Sequence, residues 1–286
     1  MSLLPIHPSA RRWPHTIFLV WHDLVPAKKL VWFDTTVSEF DAQLARLTKA
    51  GAKPVSLGSV ERWLTTGTNP PPPGAVVLCF DDNTEGIFRY AFPRLKKRGW
   101  PFAVSVHTKY VGVTTGKAHC TWEMLREMRQ GGATVVNQTH THPPDLRTLP
   151  DEDLADEFTF SRRLLSLNFR QHVPYLTYPS GKWDERLARA VEKADFKLAL
   201  TEDYGYAENS PHRLGIHRYS THKRFDEGVR AIGTHPPAPS LGLIPASRGR
   251  GKGSASLFLP PFAPTKSEIR REGVRGSAEG RAGEGC

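Results

Sequence analysis

Two adjacent carboxylates, Asp81 and Asp82, close an apolar run from Ala75 to Phe80, and Gln138, His140 and His142 follow a second run from Ala133 to Val136. Neighbouring carboxylates repel unless a cation or hydrogen-bond donors hold them, so one can bind a cation while the other stays free to take a proton. Imidazole is the commonest transition-metal ligand, and an Asp with nearby His residues is a usual donor set for zinc. His22 follows a third run, Thr16 to Val20, and brings a group that titrates near neutral pH. These residue types suit metal-assisted hydrolysis, in which a bound cation activates water, a carboxylate takes its proton and an imidazole protonates the leaving group.

Side chains so far apart in sequence need a scaffold that collects strand ends. Thr16 to Val20, Ala75 to Phe80, Phe102 to Val106, Ala133 to Val136, Tyr175 to Tyr178 and Leu198 to Thr201 are short apolar runs, the pattern of strands buried on both faces. Helical spacing marks Ser38 to Ala50, Val60 to Leu64, Ile87 to Arg98, Thr121 to Arg129, Asp151 to Leu167 and Glu185 to Ala194, with Pro54 to Leu57 as a short extended piece. This alternation predicts an α/β fold with a parallel sheet curled into a barrel, its chemistry at the carboxyl ends of the strands. His22, Asp81, Asp82 and the segment from Asn137 to His142 all fall there.

Three parts are expected: an N-terminal extension (1–15), one catalytic domain (16–232) and a tail (233–286). The tail is rich in Pro, Gly and Arg and holds no apolar period, so it is expected to stay disordered. Its composition also accounts for an overall hydrophobic content of only 38%. The net charge of +10 is spread along the chain without a basic stripe or a nucleic-acid reading motif, which argues against nucleic acid as a partner. Cys79, Cys120 and Cys286 are too scattered for a disulfide framework or a Cys-rich zinc site. Met1 to His15 contains no apolar run of signal-peptide length, and no segment approaches a membrane span, so a soluble, monomeric chain is expected.

Cys79, Phe80, Asp81 and Asp82, the segment Thr139 to Pro143 with His142, and Tyr178, Pro179, Ser180 and Gly181 resemble successive motifs of the polysaccharide deacetylases, carbohydrate esterase family 4. Trp21, His22 and Asp23, followed by the helix from Ser38, are similar to the poly-β-1,6-N-acetylglucosamine deacetylase branch. The resemblance implies a distorted (β/α) barrel and hydrolysis of N-acetyl groups on an N-acetylhexosamine polymer or oligosaccharide. It implies a divalent metal, zinc or else cobalt or nickel, held by Asp82 and His142. Asp81 would be the general base and His22 the acid that protonates the leaving amine. The Tyr178 to Gly181 turn, through the backbone near Ser180, would help hold the oxyanion.

The chain departs from the family at two positions. Asn83 stands where Gly usually follows the aspartates, a turn that Asn tolerates. Gln138 stands where the first metal-binding His is usual, and a neutral amide is a poor replacement for imidazole. In an extended segment Gln138, His140 and His142 would share one face, so His140 is the alternative third ligand. Two other readings stay open: a carbohydrate-binding relative that lost its metal through Gln138, and a metal-dependent hydrolase of a non-sugar amide. Trp21, Trp32, Trp100, Trp122 and Trp183 offer faces on which sugars stack.

Overall fold

The computed structural model describes residues 3–12 and 15–233. The expected disordered tail lies outside the described residues, apart from Gly233, where the last helix ends.

Seven strands run side by side in one parallel sheet: β1 (Ile17–Trp21), β5 (Ala75–Phe80), β6 (Phe102–Val106), β7 (Ala133–Asn137), β8 (Tyr175–Thr177), β9 (Leu198–Leu200) and β10 (Tyr219–Ser220). Their order is β10-β1-β5-β6-β7-β8-β9, and β4 (Lys53–Pro54) adds to the start of β5. Ile216 pairs with Leu200 of β9, and three residues later Tyr219 pairs with Leu19 of β1. One short segment therefore bonds to both ends of the sheet, and the sheet curls as the expected distorted barrel does. β2 (Leu24–Val25) and β3 (Thr35–Thr36) form a separate parallel pair flanking the loop after β1.

Strand periodicity divides the core. Ile17, Leu19 and Trp21 pack with Val76, Leu78 and Phe80 against the helices α1 (Val37–Lys49), α3 (Phe92–Arg98), α4 (Trp122–Gln130) and α7 (Thr221–Gly233). The alternate residues Phe18, Val20, Val77 and Cys79 meet Val60, Trp63 and Leu64 of α2 (Leu57–Thr66) on the other face. Both faces are buried, which is why the strands read as unbroken apolar runs. α5 (Asp151–Phe169) and α6 (Glu185–Lys193) cover the β8 and β9 side with Leu154, Phe158, Leu187 and Val191. Residues of the N-terminal extension join in: Leu3, Ile6 and Ala10 are buried in these clusters.

Helix starts differ in detail from the sequence expectation. α1 begins one residue earlier than Ser38, because Thr36 and Glu39 form a reciprocal capping box. α2 begins at Leu57 rather than Val60, since the Ser56 hydroxyl accepts the Ser59 amide hydrogen. The stretch expected as one helix from Ile87 to Arg98 starts as a π turn over Ile87–Ala91, so Pro93 falls in the first turn of α3, where its missing N–H costs nothing. β10 and α7 were not anticipated. Among the described residues no helix is long and apolar enough to cross a membrane.

Candidate active site

The alternation along β5 carries past its end, and that along β6 runs up to its own. Asp81 continues the face of Val77 and Cys79, and Ser105 continues that of Ala103, so both point into the curl of the sheet. There Ser105 donates to Asp81 Oδ1 at 2.8 Å, and its own oxygen lies 2.8 Å from Thr177 Oγ1 on β8. Arg218, just before β10 and 1% exposed, gives Asp81 two parallel bonds of 3.1 and 2.8 Å. Burial alone would drive this carboxyl towards its neutral form, but the Arg218 guanidinium, with help from His22 and Ser105, outweighs it and holds the pKa below the usual carboxylate range.

Asp82 turns the other way. Its φ of 72° and the 38° of Asn83 place both in the left-handed region, and this reversal separates two carboxylates adjacent in sequence. Asp82 lines a cavity of about 360 Å³ together with His22, Phe33, His107, Lys117, His119 and His142. Asp81 lies beneath its floor, 2% exposed.

His22 sits where β1 ends, with its Nε2 at 3.6 Å from Glu202 Oε1, just after β9. Burial disfavours its charged form, yet Glu202, Asp82 and Asp81 together outweigh the burial and raise its pKa above the ordinary 6.5. Glu202 is correspondingly shifted down: burial opposes its charge, and His22 and Arg218 overcome that. Glu202 is held by the turn at Gly181, whose φ is 65° and whose α-carbon leaves no room for a side chain, since a Cβ there would fall 2.4 Å from the Glu202 Cβ. That contact is what the turn contributes to the cavity's surroundings. Tyr178 is buried with its hydroxyl donating to the Leu214 carbonyl, Ser180 is exposed, and neither lines the cavity.

Gln138, 2% exposed, lies between Asp82 and His142. Its Oε1 accepts the Asp82 amide hydrogen at 2.9 Å, and its Nε2 is 3.0 Å from Asp82 Oδ1 and 3.3 Å from His142 Nε2. His142 Nε2 is itself 3.5 Å from Asp82 Oδ1. His140 does not join them. Thr139 and His142 both have positive φ, so the segment is not extended and its alternate side chains do not share a face. The His140 ring instead bonds Thr108 Oγ1 at 2.9 Å and packs on Phe160, while the Glu157 carboxylate accepts the amides of His140 and Thr141.

His107, the residue after β6, is 4% exposed; its ring lies 4.9 Å from that of His119 and 5.3 Å from that of His142. Burial and these neighbours push its pKa down to about 4, against the pull of Asp82. His119 donates Nδ1–H to the Val113 carbonyl. Even with these imidazoles, no three His, Cys, Asp or Glu side chains among the described residues stand in range of one metal ion. Asp82 and His142 alone make a two-donor set, and the oxygen of Gln138 faces a backbone amide. The residues present therefore do not fit a three-ligand metal centre.

Several participants lay outside the sequence reading. Arg218 and Glu202 follow the last expected strand, and nothing in their local sequence marks them. His107 and Ser105 sit at the end of an expected strand, the one position rule that could have found them. At the rim, Trp32 is 65% exposed, with its ring 4.7 Å from His222 and 5.4 Å from Phe33; Phe33 and His222 in turn lie 5.2 and 5.6 Å from His22. Of the five tryptophans considered for sugar stacking, Trp32 stands beside the cavity, whereas Trp21 is buried.

A family model for polysaccharide deacetylases matches residues 68–199. The Bacillus subtilis protein YxkH is 27% identical over 180 residues, which is 63% of this chain and 63% of that protein. A poly-β-1,6-N-acetyl-D-glucosamine N-deacetylase of Staphylococcus aureus is 26% identical over 198 residues, 64% of this chain and 67% of that enzyme. The chain thus spans about two thirds of the length of these relatives. Among solved structures, IcaB from Ammonifex degensii superposes with a TM-score of 0.68 at 24% identity, covering 77% of this chain and 97% of that one. The Streptococcus pyogenes deacetylase PplD, solved with acetate, gives 0.64 at 24% identity over 71% of this chain and 91% of that one. At such identities these two likenesses speak for the fold.

Proposed function

We propose that this chain is a polysaccharide deacetylase, the family whose model matches residues 68–199, that its cavity receives an N-acetylhexosamine unit of a polysaccharide, and that Asp81 and His22 hydrolyse the acetamide. The observation that carries this reading is the opposed poise of the two groups. Arg218 keeps Asp81 ionised, Glu202 favours protonated His22, and each stabilises the other's charge. A base and an acid set apart in this way, His22 lining the cavity and Asp81 just beneath its floor, are what amide hydrolysis requires.

In the proposed reaction a water molecule gives a proton to Asp81 as its oxygen bonds to the acetamide carbonyl carbon. His22 then gives its proton to the nitrogen as the carbon–nitrogen bond breaks, leaving acetate and a free amine on the sugar. The protonated imidazole also faces the negative charge that develops on the carbonyl oxygen. In relatives that hold a divalent metal the ion would activate that water and polarise the carbonyl; in this chain Asp82, Gln138 and His142 do not form a three-ligand site for it. Trp32 would offer its face to the next sugar of the polymer. The S. aureus relative acts on a β-1,6-linked N-acetylglucosamine polymer, and we propose the same substrate class for this chain.

A second reading, a carbohydrate-binding relative without turnover, is favoured by one observation: the Gln138 carboxamide between Asp82 and His142. The test is acetate release from poly-N-acetylglucosamine and chitooligosaccharides. Release that disappears in Asp81→Asn supports hydrolysis. Retention of the polymer with no acetate formed would move the assignment to the binding role.

A further inference from the structure

The contacts of Gln138 reach further than the absence of a third ligand. Its buried carboxamide has one orientation in which every group is matched. The Asp82 amide needs an acceptor, which fixes Oε1 towards it at 2.9 Å. The two hydrogens of Nε2 are then directed at Asp82 Oδ1 and at His142 Nε2. Accepting this bond makes Nε2 the ring nitrogen of His142 that carries the lone pair. The geometry points to a carboxamide clamp: Gln138 holds Asp82 and His142 together by donating to both, the bridging task a divalent cation performs between a carboxylate and an imidazole, so this chain keeps the pair assembled without a resident metal. The inference rests on assigning this cavity as the family's site.

Entry of a cation between Asp82 and His142 would require the amide to turn. Turning leaves the half-buried Asp82 N–H without its acceptor and sets Oε1 against the Asp82 carboxylate and the His142 lone pair, two acceptors facing a third. What the metal gains in return is a neutral amide oxygen, a weak donor for zinc, cobalt or nickel. His140 does not compensate, being bonded to Thr108 and packed on Phe160.

The test is metal uptake by the full chain, measured by equilibrium dialysis against zinc, cobalt and nickel with elemental analysis. The native protein should take up no more than Asp82→Ala does. Gln138→His, which supplies a lone pair in place of the two donors, should take up one equivalent, at least about 100-fold more tightly, since even partners outside the ligand set are worth 10–100-fold in affinity. That uptake should vanish again when Asp82→Ala is added. One equivalent in the native protein, lost in Asp82→Ala, would overturn the clamp, and so would a folded Gln138→His that gains no metal. A measurement on the native protein alone covers the case in which Gln138→His does not fold. Its melting temperature should be the same in chelator and in excess zinc, and a zinc-dependent rise of several degrees that chelator reverses would also overturn the inference. None of these readouts involves acetate or sugar, so failure of the hydrolytic assignment and failure of the clamp are told apart.

Discussion

Arg218 and Asp81, 137 positions apart in sequence, meet through two hydrogen bonds of 3.1 and 2.8 Å at the bottom of the cavity, both side chains almost wholly buried. A buried carboxylate left without its partner is expensive, and removing one member of such a pair typically costs 3–5 kcal/mol. Arg218→Met should therefore lower the unfolding free energy by about 3–5 kcal/mol in urea denaturation. The pH dependence follows the same sign. Asp81 titrates below its unfolded value, so its contribution to stability is present above that value and is lost as pH falls through the depressed folded pKa. In Arg218→Met burial prevails, the carboxyl pKa rises, and the acid limb of any acetate-release profile should move to higher pH. An unchanged acid limb would separate Asp81 from the chemistry.

Glu202 makes the corresponding prediction for the alkaline limb. His22 serves as an acid only while protonated, and its pKa lies above 6.5 because Glu202 and the two aspartates outweigh its burial. Glu202→Gln removes the first of these raising partners. The fall in activity on the alkaline side should then begin at lower pH, with the acid side nearly unmoved. A shift in the opposite direction would contradict the assignment of His22 as proton donor.

Trp32 is a large apolar side chain left exposed at the rim, with one ring between it and His22. If its face carries the neighbouring sugar, Trp32→Ala should raise KM for long oligomers by roughly 10-fold, in line with about 0.5–1.5 kcal/mol of aromatic contact beyond simple area burial, while kcat stays nearly constant. Trp32→Phe should restore most of the loss. A drop in kcat with KM unchanged would show that the ring instead positions His222 and His22.

Lys117 ties the rim to the barrel. Its ammonium pairs with Asp34 and lies 3.2 Å from Asp23, which also accepts the Thr84 hydroxyl at 2.6 Å. Asp34 in turn accepts the amides of Leu30 and Val31, the residues just before Trp32. Lys117→Met should leave two carboxylates together without their cation, destabilise the fold by about 3 kcal/mol, and open the 30–34 loop to faster hydrogen exchange. Protection of those amides at the native level would show that Asp34 orders the loop unaided.

The local elements were legible because each apolar run states its own burial. β5 and β6 coincide with the expected Ala75 to Phe80 and Phe102 to Val106, since both faces of each strand lie in the core. The strand ends that carry Asp81, Asp82 and His22 followed from the same pattern, as did the parallel curled sheet. β10 is two residues long, too short to carry a period, and Arg218 just before it could not be marked as a partner of Asp81 from spacing. His140 looked available as a ligand only while the segment was taken as extended; positive φ at Thr139 and His142, supported by bonds to Asn137, Thr139 and Glu157 side chains, turned it away. Which of the nearby polar groups meet is set by the curl of the sheet, which brings together residues separated by as many as 137 positions. Periodicity determined the strands, and the motif residues carried the family resemblance and, through it, the anomaly at Gln138. Tertiary structure alone decided that the Gln138 amide turns its oxygen to Asp82 N–H and its hydrogens to Asp82 and His142, because the orientation of a carboxamide depends on the donors and acceptors that the fold places around it.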